Sequence, residues 1–156
     1  MSKILGIDID SRKFGAVMIE NKAPKWDCFH ISLCKNVDDR IAELEEEMEK
    51  LLIRWAPDMV FIEEVIYVQS FNATKSIAEA VGICKSLCRK HKIPYETVPN
   101  KTWKKEIIGN GNCTKEETRK FIEKKYSGFI DRQTDVYDSF GVCLYGVQRM
   151  KEKKIG

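Results

Sequence analysis

Apolar residues recur along this chain with two different periods, and the switches between them mark out the elements. Lys3 to Asp10 reads Lys-Ile-Leu-Gly-Ile-Asp-Ile-Asp, a short apolar run with carboxylates at its far end, as expected of a buried central strand. Phe14–Glu20 and Trp26–Cys34 predict two more strands, and the short links between the three favour antiparallel hairpins. Val37, Ile41, Leu44, Met48, Leu51, Leu52 and Trp55 then recur at steps of three and four with acids between them. That spacing predicts an amphipathic helix stopped before Pro57. Met59-Val-Phe-Ile-Glu-Glu-Val is a fourth strand, apolar enough to be buried and again ending in carboxylates.

The helical period returns from about Asn72 to His91, and Ile93-Pro-Tyr-Glu-Thr-Val predicts a short fifth strand. A helix from about Asn100 leads to a Gly109-Asn-Gly111 turn, and Thr114 with Glu117 three residues later forms a capping box that opens the next helix. The last helix is expected from about Gln133, with Val136, Phe140, Leu144 and Val147 facing inward. Three strands, then helix, strand, helix, strand and further helices define an α/β fold. Its five-stranded mixed sheet, three antiparallel N-terminal strands plus two, is flanked by helices. At 156 residues the chain suits one domain, taken as 1–150, followed by a basic tail at 151–156 that is expected to fray.

Composition narrows the field without naming an activity. With 43% apolar and 33% charged residues the chain is globular rather than disordered. The net charge of +3 is unevenly distributed: residues 38–50 are acidic, whereas 101–125 carry Lys101, Lys104, Lys105, Lys115, Arg119, Lys120, Lys124 and Lys125. A basic side suits a polyanionic partner, and two solvated helix faces would explain the pattern equally well. The six cysteines include no Cys-x-x-Cys pair and there are only two histidines, so reduced core thiols are favoured over a zinc site. No secretory leader and no membrane-length apolar run is visible, which places the expected protein in the cytoplasm with no membrane partner.

The carboxylates carry the chemistry. In open α/β sheets ligands gather beyond the carboxyl ends of the strands, and Asp8 and Glu63 both stand at such ends. Asp135 and Asp138, three residues apart, share one face of the last helix, about 4.5 Å apart along its axis. Carboxylates crowded at the end of a buried sheet need compensation, and a pair of oxygen-seeking Mg²⁺ or Mn²⁺ ions would provide it. Such a pair could orient water for in-line attack on phosphorus. Taken singly, each acid also has an ordinary structural explanation: a strand end at Asp8, a favourable helix-dipole position at Asp135, an exposed face at Asp138.

Ile4-Leu-Gly-Ile-Asp8, Phe61-Ile-Glu63-Glu-Val, Ile107-Ile-Gly-Asn-Gly111 with Lys115, and Thr134-Asp-Val-Tyr-Asp138-Ser together resemble the successive motifs of the RuvC family of Holliday junction resolvases, which have the RNase H-like fold. The match covers nearly the whole chain, and its compact length resembles the bacteriophage-type members. The resemblance implies a homodimer, in the cytoplasm of a bacterium or a phage-infected host, that binds a four-way DNA junction. It would nick two strands symmetrically, leaving 5′-phosphate and 3′-hydroxyl ends. It implies metal-ligand and catalytic roles for Asp8, Glu63, Asp135 and Asp138, and basic catalytic or DNA-contacting roles for Lys104 and Lys115. Lys101, Lys105 and Arg119 would be further DNA contacts. Tyr67 and Phe71 become candidates for the aromatic that stacks on unpaired bases, although the family's aromatic aligns nearer Ile66.

Two departures stand out. The family usually has Asp-Pro-Gly where this chain has Asp8-Ile-Asp10, and Glu64 replaces an uncharged polar residue. Asp10 is read as a turn residue; Glu64 has no assigned role. Rival readings are an RNase H-like nuclease acting on flaps, forks or RNA:DNA hybrids, a sugar-kinase-like ATP-binding domain, and a junction-binding module without catalysis. The second would require more glycine in its phosphate loops and a chain about twice as long.

Overall fold

The computed structural model describes residues 2–10, 12–30, 36–64, 70–127 and 134–155, with only the backbone described at 37, 134, 135 and 155. Five strands form one sheet in the order β3-β2-β1-β4-β5: β1 (Ile4–Ile9), β2 (Lys13–Glu20), β3 (Ala23–His30), β4 (Met59–Glu63) and β5 (Tyr95–Val98). β1, β2 and β3 are antiparallel neighbours, while β4 runs parallel to β1 and β5 parallel to β4. This is the mixed α/β sheet expected from the pattern. β3 begins three residues earlier than expected, because a two-residue turn at Asn21 and Lys22, both at positive φ (53° and 65°), pairs Glu20 directly with Ala23. The end of the strand predicted over 31–34 lies outside the described residues.

The helices are α1 (Val37–Trp55), α2 (Phe71–Lys90), α3 (Asn100–Trp103), α4 (Lys115–Lys125) and α5 (Thr134–Ile155). Their starts are set by side chains that accept otherwise unpaired N–H groups: Asn36 from Asp39, Ser70 from Ala73, and Thr114 from Glu117 as the capping box requires. α3 passes into a π-helical turn at Lys104–Ile108, which ends where Gly109 adopts φ 100° and donates back to the Lys104 and Lys105 carbonyls. Residues 151–155, expected to fray, instead continue α5, and Lys153 reaches Glu96 on β5 at 2.6 Å.

Strand alternation divides the core into two layers. Leu5, Ile7, Ile9, Val60 and Ile62 face α1 and α2, packing with Leu44, Met48, Leu52, Val81, Cys84 and Leu87. Ile4, Met59 and Phe61 face the other side, where Trp103, Ile122, Phe140 and Cys143 cover them. On this second side α5 lies directly on the sheet. A Cβ at Gly6 would fall 2.4 Å from the Cys143 backbone nitrogen, and one at Gly146 would fall 2.4 Å from the Phe61 ring. The cysteines at 28, 84, 88, 113 and 143 are free thiols, all but Cys28 buried, in agreement with their reading as small core residues. Among the described residues no helix is long and apolar enough to cross a membrane.

Candidate active site

The register places the carboxylates. β1 and β4 pair in parallel from Ile4 beside Met59 to Ile7 beside Ile62, so the next step brings Asp8 alongside Glu63 at the carboxyl edge of the sheet. Asp8 alternates with Gly6 and Ile4, and Glu63 with Phe61 and Met59, so both belong to the face that α5 covers. α5 runs against β1: Gly146 sits over Ile4, and Cys143 over Gly6. Continuing toward its N-terminus, the helix heads for the carboxyl edge of the sheet, and Asp138 and Asp135 lie in its first turns. The positive end of the helix dipole therefore points at the edge where the acids collect. Asp8 and Asp138 are half-buried; the Asp135 side chain lies outside the described residues.

Glu63 is the most fully defined member. Its Oε2 accepts a hydrogen bond from the Trp103 indole Nε1–H at 2.7 Å and another from Asn100 Nδ2 at 3.2 Å. Burial pushes its pKa above the usual carboxylate range, while these two hydrogen bonds and the charges of Lys104 and Lys115 pull it back. A buried carboxylate whose cost is only partly offset by neutral donors and nearby lysines suits a site completed by a cation. Asp8, Glu63 and the acids of α5 offer the oxygen donors that Mg²⁺ or Mn²⁺ prefers. Among the described residues no three acidic, histidine or cysteine side chains converge tightly enough to form a finished ligand cluster. Asp135 falls outside that set.

The basic candidates separate by position. Lys104 stands over the Trp103 ring, its Nζ 5.7 Å from the centroid, and both it and Lys115 act electrostatically on Glu63. Lys101 and Lys105 are exposed on the same α3 and π-helical segment. Arg119 is held within the protein: its Nε donates to Glu123 at 2.9 Å, and the same Glu123 oxygen accepts from the Tyr137 hydroxyl at 2.8 Å. Phe71 opens α2 and is 74% exposed, whereas Tyr67 and Ile66 lie outside the described residues.

The two departures near the acids also have positions. Asp10 donates its backbone N–H to the Lys13 carbonyl at 2.8 Å and so closes the β1–β2 connection, as a turn residue does. The Glu64 N–H extends the β4–β5 ladder to Val98, and alternation carries its side chain off the α5 face on which Glu63 lies. Sequence reasoning missed Asn100 and Trp103. A tryptophan buried in a helix must find an acceptor for its N–H, which was a usable signal, but only the fold identifies that acceptor as Glu63.

A mixed sheet in the order β3-β2-β1-β4-β5, with Asp8 and Glu63 at its carboxyl edge and α5 laid across that face, is an RNase H-like architecture, and comparison with known proteins identifies the family. The family model described as crossover junction endodeoxyribonuclease RuvC matches residues 4–142, and the chain belongs to that family. Relatives bearing that name include one from Sulfurovum, 27% identical over 97% of this chain and 98% of its own length. Another, from Prochlorococcus marinus, is 24% identical over 92% and 97%. Among solved structures, Thermus thermophilus RuvC in complex with a Holliday junction substrate superposes with a TM-score of 0.84 at 17% identity, covering 97% of each chain. The yeast mitochondrial Holliday junction resolvase gives 0.61 at 14% identity, over 91% of this chain and 76% of that one.

Proposed function

We propose that this protein is a structure-specific endonuclease that resolves four-way DNA junctions by metal-dependent phosphodiester hydrolysis. The observation that carries the reading is the parallel register of β1 and β4, which sets Asp8 and Glu63 side by side at the carboxyl edge of the face that α5 covers, in a chain of the RuvC family. Asp8, Glu63, Asp135 and Asp138 are the residues that would hold Mg²⁺ or Mn²⁺, two ions per site. Bound there, the ions would supply charge stabilisation at the phosphate and a more acidic attacking water. The protein's own side chains do the remaining work. Asn100 and Trp103 hold Glu63 in one orientation. Lys104 and Lys115 offer positive charge beside it, where they can grip the phosphate and offset charge that develops on its oxygens. Lys101 and Lys105 extend that basic surface along the strand.

A homodimer would match the two-fold symmetry of the junction and place one such site on each of two strands. Phe71, exposed at the start of α2, would be the aromatic that stacks on an unpaired base, an interaction of about 1 to 3 kcal/mol. The setting implied is a bacterial or phage-infected cytoplasm. The decisive measurement is cleavage of synthetic four-way junction, fork, flap, RNA:DNA hybrid and linear duplex, each with and without Mg²⁺. Paired nicks confined to the junction and dependent on metal are expected. Equal cutting of linear duplex would reject resolution as the activity. Asp8→Asn is expected to lower cleavage by more than about 100-fold while leaving junction binding intact, since loss of even an outer-shell partner of a metal ligand costs roughly 10- to 100-fold.

A further inference from the structure

Both hydrogen bonds received by Glu63 fall on the same oxygen. Oε2 takes the Trp103 and Asn100 donors, and among the described residues Oε1 takes none. The two donors stand three residues apart on α3, a single turn entered from Pro99 with Asn100 and Trp103 at its two ends. Each is neutral, so each compensates the buried charge without competing for it as a lysine would. Trp103 is wholly buried, and its position is fixed from the far side: a Cβ on Gly141 of α5 would lie 2.2 Å from its ring. Gly141 is three residues beyond Asp138, on the helix that also carries Asp135. One indole therefore touches the backbone of the helix bearing two of the acids and donates to the acid on β4.

We propose that Trp103 is a positioning residue that pins Glu63 Oε2 toward the interior, leaves Oε1 for the metal, and sets the spacing between Glu63 and the acids of α5. Asn100 is its weaker partner. The proposal rests on the metal-dependent reading of the site given above. Outer-shell donors of this kind orient a ligating carboxylate, and their loss costs roughly 10- to 100-fold in metal affinity.

The chain has three tryptophans, so ¹⁵N-labelled protein gives three indole N–H resonances, and Trp103→Phe identifies that of Trp103 by its loss. On titration with Mg²⁺ the Trp103 resonance should shift with the same midpoint as activation of junction cleavage. In Glu63→Gln that response should vanish. Trp103→Phe keeps most of the ring packing and removes only the donor. Its Mg²⁺ affinity, measured by calorimetry, should fall about 10-fold or more, with junction binding in the absence of metal unchanged. Should Trp103→Phe fold poorly, Asn100→Ala removes the second donor from a half-buried position and should weaken Mg²⁺ binding in the same direction by a smaller factor. A wild-type Mg²⁺ affinity in a folded Trp103→Phe or Asn100→Ala protein, or a Trp103 resonance indifferent to Mg²⁺ while wild-type cleavage depends on it, would overturn the proposal. A wild-type protein that cuts no junction, or cuts without metal, would instead reject the activity, and this is visible before any variant is made.

Discussion

Glu63 and the residues around it show how much one side chain can depend on partners distant in sequence. A carboxylate after Met-Val-Phe-Ile at a strand end is costly unless something compensates it, and Trp103 and Asn100, about 40 residues on, do so in part. The lysines differ from these donors by acting through charge alone. Lys104→Met and Lys115→Met should each lower the rate of junction cleavage by about 10- to 100-fold, with folding unaffected because neither side chain is part of the core. Single-turnover cleavage separates this from weakened binding. Arg119→Ala should have the smaller effect, because its guanidinium is already held by Glu123. Equal losses for Arg119 and Lys104 would show that the basic surface acts only as a diffuse field.

Among the elements, α5 and β1 approach closely, and the approach depends on a residue without bulk. Gly6→Ala would drive a methyl group into the Cys143 backbone, which cannot swing aside as a flexible side chain can. A loss of about 1 to 3 kcal/mol is expected, read as a lower urea midpoint. The same contact gives a pH dependence. The Cys143 thiol donates to the Ile4 carbonyl at 3.1 Å, and burial pushes its pKa up from 9.0 to about 12. The unfolded thiol releases its proton from about pH 9, whereas the native one keeps it until about 12. This group therefore leaves stability unchanged below pH 9 and removes it progressively as pH rises toward 12. At pH 10 the loss is on the order of 1 kcal/mol, and Cys143→Ala should lack that part of the alkaline decline in unfolding midpoint. At the opposite hairpin, Lys22 holds φ 65°, a conformation that favours glycine. Lys22→Gly is expected to stabilise the protein by about 0.5 to 1 kcal/mol.

Across the whole molecule, the acidic α1 and the basic α3–α4 region lie on different faces of the sheet, so the small net charge conceals a polar distribution. Junction affinity should fall steeply with salt, and each phosphate-contacting lysine removed should reduce the slope of log affinity against log salt by about one. Lys104→Met and Lys101→Met measured by gel shift at several salt concentrations test this. A flat salt response would mean that the basic face does not meet the phosphates.

Much of this was legible in the sequence. Periods of two and of three to four residues set the five strands, the amphipathic helices and the capping box at Thr114, because side-chain alternation and helix pitch are local properties of the backbone. They also exposed Asp8 and Glu63 as acids at the ends of apolar runs. The β3 start and the persistence of α5 through Ile155 were not legible. One depends on a turn at positive φ that Asn-Lys does not announce, and the other gains support from Lys153 reaching Glu96 across 57 positions. The register that sets Asp8 and Glu63 on one face, the descent of α5 onto Gly6, and the Trp103 donor to Glu63 were decided only by the tertiary structure. Strand register, helix seating and the acceptor a buried N–H finds are set by packing between segments far apart in the chain, and no local period encodes them.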